Sequence, residues 1–172
     1  HMEAALLFGN MKSYKIKKGK HSSGLHLGPF FANKISFSAE FSESCIYNLG
    51  NSDQFDINKL LGFSNGLHHK NSARIGWRAK GELIEIVTYC YVDGVRIPEE
   101  IMGLVAPGEK FFCVIKEIGD LWVLQFQSLS HFSKFYVKRG KQTFWGYKLY
   151  PYFGGNNAAP HNMEIKIQIQ IV

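Results

Sequence analysis

The sequence predicts an all-β fold, a sandwich or barrel of antiparallel strands, on three observations. Stretches rich in β-branched and aromatic residues alternate apolar and polar side chains with period two, the spacing at which successive residues face opposite sides of a sheet. Turn signals at Lys80-Gly81, Asp93-Gly94, Pro107-Gly108, Gly119-Asp120 and Arg139-Gly140 recur at spacings of roughly 10–15 residues. One segment alone reads as a helix: Asp56 to Leu61 starts on a capping residue and stops at Gly62, which predicts a single short turn on a loop.

Nine strands are expected, over 12–18, 34–42, 72–80, 82–92, 110–118, 121–127, 134–139, 143–153 and 163–172. Parity sorts four of them into faces. In 72–79, Ala73, Ile75 and Trp77 form the inner face and Arg74 and Arg78 the outer one. In 82–92, Ile84, Ile86, Thr88, Cys90 and Val92 oppose Glu85, Tyr89 and Tyr91. In 121–127, Trp122, Leu124 and Phe126 oppose Gln125 and Gln127; in 144–153, Trp145, Tyr147, Leu149 and Phe153 oppose Lys148, Tyr150 and Tyr152. The outer faces thus combine Tyr with Arg, Gln and Lys, which supplies flat stacking surface beside hydrogen-bond donors.

The chain has 172 residues, with 17 glycines, 14 phenylalanines, 8 tyrosines and 3 tryptophans. That length buries a core unaided. With no repeat or linker in view, 12–172 is expected to be a single domain, preceded by a tag remnant and extension over 1–11. Cys45, Cys90 and Cys113 form an odd set without a C-x-x-C pair, which argues against a disulfide framework and a zinc site. No stretch reaches the length of a membrane span, so a soluble protein is expected.

The net charge is +6, which favours an anionic partner. Five of the 20 basic residues lie between Lys12 and Lys20. Without a recognisable nucleic-acid motif around them, nucleic acid is disfavoured as that partner.

The densest chemical cluster is 66–78, where His68, His69 and Asn71 precede a strand carrying Arg74 and Arg78. An imidazole near neutral pKa beside a guanidinium that holds a carboxylate is a workable catalytic pair. On an extended chain the two adjacent histidines would point in opposite directions. The segment 145–161 adds tyrosines and the run Gly154-Gly155-Asn156-Asn157, whose glycines allow close backbone approach to a ligand. Aromatic platforms with amides suit sugar rings. No cofactor and no transition metal are expected, because the histidines lack ligand spacing. A structural calcium on Asn51, Asp53 and Asp56 is the single alternative. Nucleophile elbows, phosphate loops and paired acid/base carboxylates are absent from the sequence.

The strand order, the Tyr/Arg/Gln/Lys face and the ending YKLYPYFGGNNAAPHNMEIKI resemble the concanavalin A-like superfamily of lectins, laminin G-like modules and alginate-lyase-type enzymes. The resemblance implies an antiparallel two-sheet jelly-roll β-sandwich with at most one short helix. It further implies a glycan partner, acidic given the charge, on the concave sheet. Tyr89, Tyr91, Tyr150 and Tyr152 would stack, Arg74, Arg78 and Lys148 would hold the acid, and Asn71, Gln125 and Gln127 would bond hydroxyls. Alginate-lyase-type enzymes carry Arg-x-Glu, Gln-Ile-His and late Tyr-x-Lys-x-Gly motifs. Here Arg74 and Arg78 lack the Glu, Gln125-Phe126-Gln127 lacks the His, and Tyr147-Lys148-Leu149 matches the third loosely. An enzyme of this kind would use Arg74 against a uronate carboxylate and His68, His69 or Tyr89 in proton transfer. A structural or interaction module, oligomeric in that case, is the third alternative.

Overall fold

A computed structural model describes residues 10–26 and 28–171, and the start of the expected N-terminal extension lies outside them. The described residues form twelve strands in two antiparallel sheets, a jelly-roll sandwich. They are β1 (Lys12–Ile16), β2 (Lys34–Phe41), β3 (Asn58–Ser64), β4 (Ser72–Lys80), β5 (Leu83–Val92), β6 (Val95–Arg96), β7 (Ile101–Val105), β8 (Phe111–Ile118), β9 (Leu121–Gln127), β10 (Phe132–Lys138), β11 (Lys148–Leu149) and β12 (Met163–Ile171). The first sheet runs β1-β12-β2-β8-β9-β10. The second runs β11-β3-β4-β5-β6, with β7 also paired to β5. Two 3-10 turns, Glu43–Cys45 and Ser52–Phe55, are the helical pieces among the described residues.

Period-two patterning explains the core. Ala73, Ile75 and Trp77 of β4 share one core cluster with Trp122, Leu124 and Phe126 of β9, Phe37 and Phe41 of β2 and Phe111 of β8, all essentially without solvent contact. Burying such a set is the dominant stabilising term. The three cysteines are free and buried in it, and burial holds the Cys45 and Cys90 thiols up at about 12.

Two sequence expectations fail here for definable reasons. The segment 56–61 is not helical: Asn58 to Ser64 is strand β3, fully buried. Its register shifts between Lys59 and Leu61, so Leu60 and Leu61 are both inside, and a bulge interrupts the period-two signal that marks a strand. The segment 143–153 is not a continuous strand either. Only Lys148 and Leu149 form a ladder, opposite Phe63 and Gly62, with isolated pairs at Pro29–Tyr147 and Lys59–Tyr152. Pro151 cannot donate to a ladder, and the side-chain alternation changes phase across it. Trp145, expected inside, is consequently exposed.

Candidate functional site

The outer face of the second sheet is built in cross-strand rows. Leu149 lies opposite Gly62, Gly62 opposite Arg74 and Arg74 opposite Tyr89. One step along, Ser64 faces Ser72 and Ser72 faces Tyr91, while the Tyr147 amide donates to Ser64 Oγ. In the other direction Tyr152, Lys59, Gly76 and Val87 form a row. Gly62 is required beside Arg74. A methyl group there would run into the Ala73 carbonyl and the Arg74 backbone.

Three cations surround the Tyr89 ring. Lys59 Nζ lies 5.0 Å from its centroid, Arg74 Cζ 5.1 Å and Arg96 Cζ 5.5 Å. A ring quadrupole attracts a cation, but it does not neutralise three. Arg96 has Glu99 at 3.7 Å. Arg74 has no carboxylate partner among the described residues, is only 6% exposed, and its Nε is buried without a hydrogen-bond acceptor. Lys59 Nζ donates to the Gly154 carbonyl at 2.9 Å. Burial first, then the charge of Arg74, brings the Lys59 ammonium down to about 8.

Next to Arg74 lies a histidine–tyrosine pair. His68 Nδ1 is 2.7 Å from the Tyr147 hydroxyl, and the His68 backbone N–H donates to that same oxygen at 3.1 Å. Burial, Arg74 and His69 together push the His68 imidazole down to about 4, so it is neutral at ordinary pH, and its tautomer sets whether Nδ1 or the phenol donates in their hydrogen bond. His69 does not point away as an extended chain would require. Residues 67–71 turn, with the Lys70 and Asn71 amides donating to the Leu67 carbonyl, and the His68 and His69 rings sit 4.2 Å apart with Tyr91 5.6 Å beyond.

The other expected site residues divide. Tyr91 and Tyr152 lie on this face, and Tyr152 stacks on His21 at 5.2 Å. Arg78 also lies on it but is consumed by ion pairs to Glu85 at 2.7 Å and Glu99 at 3.2 Å. Asn71 is tied to a turn, its Oδ1 accepting from the Asp93 amide at 3.0 Å. Lys148 and Tyr150 have the opposite parity to Tyr147 and leave the site. They form an edge cluster in which His26 is 4.6 Å and Tyr14 6.0 Å from the Tyr150 ring. Gln125 and Gln127 are on β9, in the first sheet, because parity reveals a face and not which sheet owns it. Asn51 caps Asp53, and Asp53 accepts from Asn157 at 2.7 Å. No group of three or more His, Cys, Asp or Glu is close enough to hold a metal among the described residues.

Three residues of this face escaped the sequence reading: Lys59, hidden in the bulged strand, Arg96 on the short β6, and Tyr147, assigned inward by parity. The loose Tyr-x-Lys match was the signal that could have recovered Tyr147.

No family model matches the chain, and no curated protein matches it. Solved structures do. An alginate lyase from Klebsiella pneumoniae superposes with a TM-score of 0.59 at 10% identity, over 82% of this chain and 60% of that one. An exolytic PL7 alginate lyase from Zobellia galactanivorans gives 0.59 at 11%, over 94% and 84%. A functionally unknown protein from Saccharomyces cerevisiae gives 0.62 at 8%, over 95% and 89%. The fold is the concanavalin A-like jelly roll. At these identities the similarity establishes architecture alone.

Proposed function

We propose that the protein binds an anionic saccharide, a uronate, across the outer face of the second sheet. The observation that carries this reading is Arg74. A guanidinium held out of water without a counter-ion is costly, and here two further cations crowd the same tyrosine ring. A ligand carboxylate would relieve that cost, because the planar guanidinium fork matches it. Tyr91, Tyr152 and Tyr89 supply aromatic surface for sugar C–H faces. The alginate lyases among the solved structures of the same fold support the choice of a uronate. Isothermal titration against alginate and polygalacturonate at physiological salt tests it: saturable binding that Arg74→Ala abolishes is expected, and no binding to either polymer overturns it.

The His68–Tyr147 bond favours a second reading, cleavage of the same polymer by β-elimination. Arg74 would neutralise the carboxylate and acidify the hydrogen at C5. The Tyr147 oxygen would take that proton while passing its own to His68 Nδ1. The C–H electron pair becomes a C4–C5 double bond, the C4–O bond breaks, and the departing oxygen recovers a proton from the pair. Ultraviolet absorbance of the unsaturated product tests this, with Tyr147→Phe losing activity while keeping binding. Binding without any absorbance increase eliminates it.

A further inference from the structure

We infer that the binding face continues over the edge of the second sheet onto the loop after β1, so that the ligand is a linear polyuronate gripped at two separate points. This rests on the saccharide reading above and specifies its length. Tyr152 is the joint. Its ring lies 5.6 Å from Lys59 Nζ on the sheet and stacks nearly parallel on His21, at 13°. Beyond it opens a cleft of about 560 Å³ lined by Lys15, Lys17, Lys20, His21 and Tyr152.

The cleft is preorganised. His21 Nδ1 hydrogen-bonds the Phe153 carbonyl at 2.8 Å, which fixes the imidazole against Tyr152 and leaves Nε2 open. The loop backbone is stitched to the C-terminal segment: Gly19 N–H donates to the Ala159 carbonyl, the Ala159 N–H to Lys20, and the Phe153 N–H to His21. Lysines on an anchored loop hold a fixed field, whereas those on a free one would average it away.

The charge there is also uncompensated. Lys12 to Lys20 contains five lysines and no acidic residue, and Lys15, Lys17 and Lys20 are exposed and make no ion pair among the described residues. Glu164 lies opposite Lys15 in register but accepts from Ser13 Oγ at 2.9 Å. Two cationic stations joined by a flat aromatic step suit a chain whose negative charges repeat along a stiff backbone. Linking two such contacts on one ligand converts the second into an intramolecular event and multiplies affinity.

Affinities of uronate disaccharides and octasaccharides prepared from alginate, measured for the wild type and for the exposed double variant Lys17→Ala/Lys20→Ala, test the inference. The wild type should bind the octasaccharide at least about ten-fold more tightly than the disaccharide. The double variant should lose most of that gain, flatten the salt dependence, and keep its disaccharide affinity. Equal affinity for both lengths in the wild type overturns the inference, as does an unchanged octasaccharide affinity in the double variant. Binding of a single-stranded oligonucleotide as tightly as the octasaccharide, through the same lysines, overturns it too. Failure of the wild type to bind either length defeats the central reading along with this one, and is thereby distinguishable.

Discussion

Arg74 and Arg78 occupy the same strand and the same face, four residues apart, and play opposite parts. Arg78 donates through Nε to Glu85 at 2.8 Å and also reaches Glu99 and the Phe55 carbonyl. The Glu85 side chain it neutralises is only 3% exposed. Arg74 is more deeply buried than Arg78 and has tyrosines where Arg78 has carboxylates. One end of the sheet is therefore an internally satisfied ion-pair network. The other holds a buried guanidinium with no carboxylate partner among the described residues, which is the feature that the proposed saccharide site uses.

The largest expected effects come from exchanging each arginine for methionine, which keeps length and removes charge. Arg78→Met strands a buried carboxylate with Lys80 alone and should cost about 3 kcal/mol of unfolding free energy, with saccharide affinity unchanged. Arg74→Met should do the reverse: affinity for alginate falls by about 100-fold, the scale of losing a buried charged hydrogen-bonding partner, while stability holds or rises. Urea unfolding and titration calorimetry on the two variants check the pair. Loss of stability in Arg74→Met, with binding intact, would break the contrast.

Gly62→Ala sharpens it without touching a charge. The added methyl group has nowhere to go between β3 and β4, and overpacking of this kind typically costs about 1–3 kcal/mol. Because the displaced atoms belong to Ala73 and Arg74, the variant should lose binding along with stability. The equivalent insertion at Gly81, a turn position with open space around it, should leave binding alone.

Lys59 gives the next effect, and its sign differs between binding and stability. Its ammonium titrates at about 8 in the fold against 10.5 in the free chain, so between these values the unfolded state holds more protons and stability rises as pH increases. Anion binding moves the other way, weakening as pH passes through 8 and the positive charge is lost. Lys59→Met should remove both trends. Unfolding and binding measured from pH 7 to 10 would show it, and parallel trends in the two would contradict the assignment.

Legibility in the sequence followed the same division. The satisfied parts of the fold obey period two: Ala73, Ile75, Trp77, Trp122, Leu124 and Phe126 all sit inside as their parity requires. The candidate site does so only in part: Arg74, Tyr89 and Tyr91 face outward from the regularly paired β4 and β5, whereas its other residues lie where periodicity is interrupted. A bulge carries Lys59, Pro151 changes the phase that placed Lys148 and Tyr150 outward and Tyr147 inward, and a turn gathers His68 with His69. Gln125 and Gln127 show a different limit. Alternation assigns each a face, yet only long-range pairing decides between sheets, and that pairing put β9 beside β8 and β10.

The smallest effect tests how far the charge of Arg74 reaches. His68 is held at about 4 by burial and by the charges of Arg74 and His69, against 6.5 in the unfolded chain. As pH falls from 6.5 toward 4, the unfolded state takes up a proton that the folded state refuses, so stability is lost across that window. His68→Gln should flatten this acid limb, and the partially exposed position of the ring keeps the effect modest. Arg74→Met should flatten it partly as well, because it removes one of the charges that depress the imidazole, whereas Arg78 is paired with Glu85 and is not among those charges, so Arg78→Met should leave the His68 titration itself unchanged. Urea midpoints at pH 4.5 and 7 for His68→Gln and Arg74→Met, with NMR titration of the His68 imidazole in both arginine variants, read this directly. An equal response to both arginine exchanges would mean that the two ends of the sheet are electrostatically alike after all.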